Sequence, residues 1–167
     1  MATGAALATG EPQAFCVVPG PGFLNTTAAL STAYGMNAPV LALVGQIPTG
    51  AQGKGHGLLH EIPDQFGILE RLTKSSHRVP GGGDAVGHVV DAFTSLVSGR
   101  PQPVGLEIAV NLWTQDVTGT LPDLAPPGRP APAVDTDAID RAAKLIASAS
   151  APMIVVGGGA QGASGLV

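Results

Sequence analysis

The chain has 167 residues, enough for one good core or for one domain and part of another. Hydrophobic residues make up 44%, charged residues 12% and aromatics 4%, with 24 Gly and 15 Pro. That profile suits a buried α/β sheet with many turns and excludes a disordered or coiled-coil chain. The net charge is −4 and the eight Lys and Arg are scattered, which leaves no electrostatic footprint for nucleic acid or an anionic membrane. The single Cys16 lies in an apolar run, where a small core residue is expected, and one cysteine cannot form an internal disulfide. No apolar run approaches ~20 residues and no basic-then-apolar leader follows Met1. A soluble, cytoplasmic protein without a membrane partner is expected.

Residues 1–10 are rich in Ala, Gly and Thr and read as the end of a helix. A β run at residues 14–18 leads into Pro19-Gly20-Pro21-Gly22, and a small-residue helix follows from about Asn25 to Tyr34. Gly35 and Asn37 end it, and a second apolar run covers residues 40–44. Such a strand–turn–helix–strand unit pairs its strands in parallel through a right-handed crossover. Its turn opens at the carboxyl end of the first strand, where ligands bind in open α/β sheets. The prolines fix φ and the glycines let a ligand approach the backbone. An ordinary tight βα turn has the same spacing, so the pattern alone leaves both readings open.

Residues 49–57 form a Gly-rich loop in which Lys54 and His56 are expected to be solvated. Ile68, Leu69 and Leu72 indicate a short helix, and residues 73–79 a strand. The clearest helix is residues 84–98, whose Val86, Val89, Val90, Phe93, Leu96 and Val97 form one core stripe. His88 falls outside that stripe and is taken as incidental. Residues 104–110 form a further strand, interrupted by Glu107. Residues 117–134 hold five of the prolines and read as an extended linker. A helix then starts near Asp135, with Ile139, Ala142, Ala143 and Ile146 on its buried face, before a strand at residues 152–156. The strand runs into Gly157-Gly158-Gly159-Ala160-Gln161-Gly162, a G-x-G-x-x-G match that is weak by itself. The expected division is a first domain at 1–116, a linker at 117–134 and the beginning of a second α/β domain at 135–167.

Pro19-Gly20-Pro21-Gly22 with Asn25 resembles the GPG-x-x-N turn of thiamine-diphosphate enzymes of the acetolactate synthase and benzoylformate decarboxylase type. Further matches follow in order: Pro39-Val40, Gly45-Gln46-Ile47-Pro48, Leu59-His60-Glu61 with Asp64-Gln65, Thr73-Lys74-Ser75, and Gly99-Arg100-Pro101 with Pro103-Val104. The resemblance covers nearly the whole chain. It implies the open parallel sheet of the pyrimidine-binding domain, incomplete at its N-terminus, followed by the start of a Rossmann-like central domain that some members use for FAD or ADP.

It also implies the chemistry. Thiamine diphosphate stabilises a carbanion through its C2 ylide, while the protein supplies orientation and proton control. By resemblance Pro21, Gly22 and Asn25 contact the pyrimidine. His60 stands where synthases carry Gln and some decarboxylases a His, and it could shuttle protons as well as bind the cofactor. A hydrogen-bonded loop histidine is the alternative for His60, and a structural role for Glu61. The family's activating glutamate lies about six residues before the position of Met1, so the first strand and helix are expected to be missing and this chain alone inactive. Magnesium and the diphosphate belong to a later domain of the family, so no metal ligand is assigned here. The resemblance further implies a small 2-oxo acid substrate, carboligation or decarboxylation, and a homodimer or homotetramer with shared sites. A non-catalytic nucleotide-binding module, using residues 157–162 or 19–22, is the competing reading.

Overall fold

A computed structural model describes residues 1–81, 83, 85–117 and 133–163. The chain divides into two compact units, Met1–Pro130 and Ala131–Val167. The first unit contains α1 (Ala2–Thr9), β1 (Gln13–Val17), α2 (Pro21–Leu24), α3 (Thr27–Gly35), β2 (Val40–Gln46), α4 (Gln65–Leu72), β3 (Ser75–Arg78), α5 (Ala85–Val97) and β4 (Val104–Ala109). Its four strands form an open, all-parallel sheet in the order β1-β2-β4-β3. The expected α/β class and parallel pairing are therefore present.

Each face of the sheet has its own core. Phe15, Val17, Ala42 and Val44 pack with Phe23, Leu30 and Leu69 from α2, α3 and α4. Leu41, Leu43, Val104 and Leu106 pack instead with Ala92 and Leu96 of α5. Side chains alternate along a strand, so the central strand β2 feeds both cores, Ala42 and Val44 to one and Leu41 and Leu43 to the other. Gly105 lets α4 come close, because a Cβ there would lie 2.6 Å from the Leu69 side chain. Across the sheet, Val17 aligns with Val44, Val44 with Glu107, and Glu107 with Arg78. That row crosses the last residues of β1 and β3.

Several expectations need correcting. The helix expected from about Asn25 is α3, which starts at Thr27, and Asn25 instead ends the separate single turn of α2. Cys16 is exposed, because Phe15 and Val17 take the covered face of β1 and nothing described covers the other face. The inward stripe of α5 is Ala85, Val89, Ala92, Phe93 and Leu96, while Val90 is 37% exposed. His88 belongs beside that stripe: its Nδ1 is buried, and its ring lies 6.3 Å from that of His77 on β3. The small Ala85 and Ala92 set the inner face closest to the sheet, which apolar character alone did not rank. Asp84, the expected start of this helix, lies outside the described residues. Lys74 closes the other end, where its Nζ donates to the carbonyls of Ser95 (2.7 Å) and Arg100 (3.0 Å). A lysine there neutralises the negative end of the helix dipole and satisfies terminal carbonyls.

In the second unit, α6 (Thr136–Ser148) begins at Asp135, whose side chain accepts from the Ala138 N–H at 2.9 Å. The helix is where the sequence puts it, but Ile139 and Ile146 of its apolar face are 56% and 50% exposed. Residues 152–156 are not a strand, since no described strand lies beside them to complete a ladder. The glycine run after them winds into a 3₁₀ turn, Gly158–Ala163. The expected linker lies almost wholly outside the described residues.

Leu96 is fully buried, so Leu96→Ala should cost about 2–5 kcal/mol in urea denaturation. Val90→Ala, on the outer side of the same helix, should change stability by no more than about 0.5 kcal/mol. Phe93→Ala should fall below the about 3–5 kcal/mol of a fully buried aromatic, because Phe93 is only partly buried.

Candidate functional site

The carboxyl ends of the strands carry the polar groups of the first unit. After β1 the chain turns at Gly20, whose φ of 59° and ψ of −120° favour glycine, and Pro21 opens the single turn of α2. A Cβ on Gly20 would lie 2.5 Å from the His60 carbonyl oxygen, so the turn and the 58–64 loop meet backbone to backbone. Gly22 is equally constrained, since a Cβ there would run into the Val18 side chain. The 60–64 loop itself is bent hard: His60 has φ 72° and Asp64 φ 47°, both left-handed and uncommon for non-glycine residues. Asp64 gains from its position, because its side chain accepts from the Gly67 N–H at 3.1 Å and caps α4.

Beneath the turn lies a buried polar cluster. Glu107 is 0% exposed, Gln65 2% and Gln46 8%. One Glu107 oxygen accepts from Gln65 Nε2 (2.9 Å) and Gln46 Nε2 (3.0 Å), and the other accepts from Arg78 Nε (2.8 Å). Gln65 Nε2 also donates to the Gly45 carbonyl at 2.9 Å, and its Oε1 accepts from the Gly20 N–H at 2.7 Å. Gln46 Oε1 accepts from the Ile47 N–H at 2.7 Å. Arg78, about half exposed, lays its guanidinium 4.4 Å over the Phe66 ring. Every buried polar side-chain atom of the three central residues thus has a partner.

Arg78, Gln46 and Gln65 also line a cavity of about 720 Å³. Its other walls are the loop from Ile47 to Gly57 and the segment from Glu61 to Asp64. The loop is pinned by Asn111, whose Oδ1 accepts from the Thr49 N–H at 3.0 Å, and by Gln52 Nε2 donating to the Ile47 carbonyl at 2.9 Å.

The expected site residues fall around this framework but not in the cavity. Pro21 and Asn25 are exposed and Gly22 half-buried, all on or beside α2. The Asn25 amide group makes no hydrogen bond among the described residues, although its backbone N–H donates to the Pro21 carbonyl. His60 is half-buried against Gly20, and its ring likewise has no hydrogen bond among the described residues. Glu61 closes its own loop by accepting from the Leu58 N–H at 2.9 Å. Lys54 and His56 are exposed. The residues missed by sequence reasoning are Glu107, Gln65, Gln46 and Arg78. A signal existed, since a lone carboxylate inside an apolar strand is a charge that must find partners.

Comparison with known proteins bears directly on this turn. Residues 1–68 match the family described as thiamine pyrophosphate enzyme, N-terminal TPP binding domain. The chain is 36% identical over 168 residues to an acetolactate synthase of Arthrospira platensis, covering 95% of this chain and 28% of that protein. The chain belongs to the thiamine-diphosphate enzyme family of the acetolactate synthase type. Other relatives include a protein of Pseudomonas aeruginosa named probable 2-ketoarginine decarboxylase, 31% identical over 96% of this chain and 29% of that protein. The acetolactate synthase isozyme 1 large subunit of Escherichia coli is 31% identical over 95% of this chain and 28% of its own length. The chain therefore spans little more than a quarter of the relatives it matches.

Removing Arg78 leaves the Glu107 carboxylate buried with two amide donors and no countercharge. Arg78→Met should cost about 1–3 kcal/mol, less than a fully buried pair because Arg78 is half exposed. Chemical denaturation beside Arg100→Met, an exposed control, checks it.

Proposed function

We propose that the turn at residues 19–22, with Asn25, seats the aminopyrimidine of thiamine diphosphate. The parent protein is then an acetolactate-synthase-like enzyme that carboligates or decarboxylates small 2-oxo acids. The observation that carries this reading is the turn itself, held by Gln65 from one side and His60 from the other, with the Asn25 amide, unbonded among the described residues, beside it. A short amide offers a donor and an acceptor to the edge of a heterocycle, and the residues present fit such a group. Gly22 adds no side chain there, and Pro21 stiffens the approach. When bound, the cofactor supplies carbanion stabilisation. This chain's residues bind and orient it, and His60 handles a proton on the substrate side, since an imidazole can both donate and accept one.

The remaining parts of the reading concern the parent protein. Magnesium and the diphosphate are held by residues outside this chain, and FAD or ADP is a candidate ligand for the glycine run at 157–162. A cytoplasmic homodimer or homotetramer with shared sites completes the proposal. Support for both chemistries comes from the relatives, one named an acetolactate synthase and another a probable 2-ketoarginine decarboxylase.

Titration calorimetry with thiamine diphosphate and magnesium, followed by product analysis, tests the two site assignments separately. Asn25→Ala should weaken cofactor binding by about 1–3 kcal/mol, the cost of leaving a buried partner unpaired. His60→Gln should leave that affinity nearly unchanged while shifting the ratio of carboligation to decarboxylation. Normal binding by Asn25→Ala, or an unmoved product ratio in His60→Gln, would remove the corresponding role.

A further inference from the structure

We propose that Gln65, held in one orientation by Glu107, is a positioning residue that fixes the Gly20 amide and with it the seat formed by Pro21, Gly22 and Asn25. The inference rests on the ligand reading above only for what the seat holds. Its structural part stands on the hydrogen bonds alone.

The amide of Gln65 has one satisfactory orientation. The Gly45 carbonyl and the Glu107 carboxylate can only accept, so the Gln65 NH₂ must face them. Its oxygen is then left to accept from the Gly20 N–H at 2.7 Å. The reverse orientation would set oxygen against two acceptors and NH₂ against a donor. With Gln65 only 2% exposed, water is not at hand to repair the mismatch.

The turn needs this support. α2 is a single helical turn of four residues, and so short a helix does not hold itself in water. Gly20 precedes it with a backbone shape that no regular element imposes. The Gly20 N–H is anchored not to its own helix but to α4, and through Glu107 to β4, two strands away in the sheet. The His60 carbonyl bars movement on the other side. The strand ends thereby determine where the ligand-contacting residues stand. Gln65 does not touch the ligand in this scheme; it acts through the turn.

The test uses Gln65→Leu, Gln65→Glu and Glu107→Gln, each followed by the NMR shift and hydrogen exchange of the Gly20 amide and by thiamine diphosphate affinity. In Gln65→Leu the Gly20 amide should exchange at least about tenfold faster while core amides of β2 keep their protection, and cofactor affinity should drop about tenfold. Gln65→Glu supplies a readout that packing cannot mimic, and it remains informative if the Leu variant fails to fold. The introduced carboxyl would face the Glu107 carboxylate, whose other oxygen holds Arg78, with Asp64 next in sequence and Glu61 on the same cavity wall. Burial and like charge favour its neutral form, which keeps an acceptor for the Gly20 N–H and one O–H donor for Glu107 but lacks the second donor that Gln65 gives the Gly45 carbonyl. Turn order and affinity should therefore be present at about pH 5 and be lost as the pH rises toward about 8. In Glu107→Gln, the new amide must turn a donor toward Arg78 or toward Gln65 and Gln46, so a smaller loss of Gly20 protection is expected. An unchanged Gly20 amide in the Leu variant, or a pH-independent Gln65→Glu, would overturn the positioning role. So would normal cofactor affinity in every variant. If the Gly20 amide responds as expected but the unaltered protein binds no thiamine diphosphate, Gln65 keeps its role and the ligand assignment fails.

Discussion

A carboxylate stripped of water must be repaid by partners, and Glu107, fully buried in the middle of the sheet, sets that requirement for the whole first unit. Its three donors come from three different elements: Gln46 ends β2, Arg78 ends β3 and Gln65 opens α4. Satisfying one residue therefore fixes the carboxyl edge of the sheet. Pairs of this kind add little net stability, because desolvation consumes most of the attraction. Their effect is positional. Glu107 points to the same face as Val17 and Val44, the face covered by α2, α3 and α4, and that is where the turn has to be anchored.

The fold around this knot is otherwise assembled from small residues that permit close approach. Gly105 admits Leu69 against β4, Ala85 and Ala92 bring α5 down on the sheet, and Gly20 lets the 58–64 loop touch the turn. Two of the three left-handed non-glycine residues among those described, His60 and Asp64, lie in the same region, the third being Asn37 between α3 and β2. Such conformations persist only where their surroundings hold them, and they gather near ligand sites. The exposed amide of Asn25 and the ring of His60, both without a hydrogen bond among the described residues, lie on this base with polar atoms to offer. The cavity under Arg78 is built from the same bonds and adjoins the turn through Gln65.

Sequence reading recovered the parts governed by local pattern. Apolar runs gave the strands at Val40–Gln46 and Val104–Ala109, and the turn of Pro and Gly between a strand and a helix pointed to the binding end of the sheet. It failed where a residue's meaning depends on distant neighbours. Glu107 read as an interruption, because its partners stand 29 to 61 positions away along the chain. Cys16 and His88 were misplaced for the same reason, since periodicity says which residues share a face but not which face is covered. Residues 152–156 look like a strand by composition, yet a strand exists only with a neighbour to bond. The ligand reading came from the ordered motifs of the family, and geometry then revealed what supports the turn.

The central claim is that Glu107 and Gln65 act as one unit that ties the turn to the sheet. A double-mutant cycle tests it most directly, with Glu107→Leu, Gln65→Leu and the combined variant compared by urea denaturation. Contacting members of a buried network couple by about 0.5–3 kcal/mol, whereas independent sites add to within about 0.3–0.5 kcal/mol. The account predicts that the double variant loses less stability than the two single losses combined, by at least about 1 kcal/mol. Additive losses would contradict it, and the turn would then owe its position to packing alone.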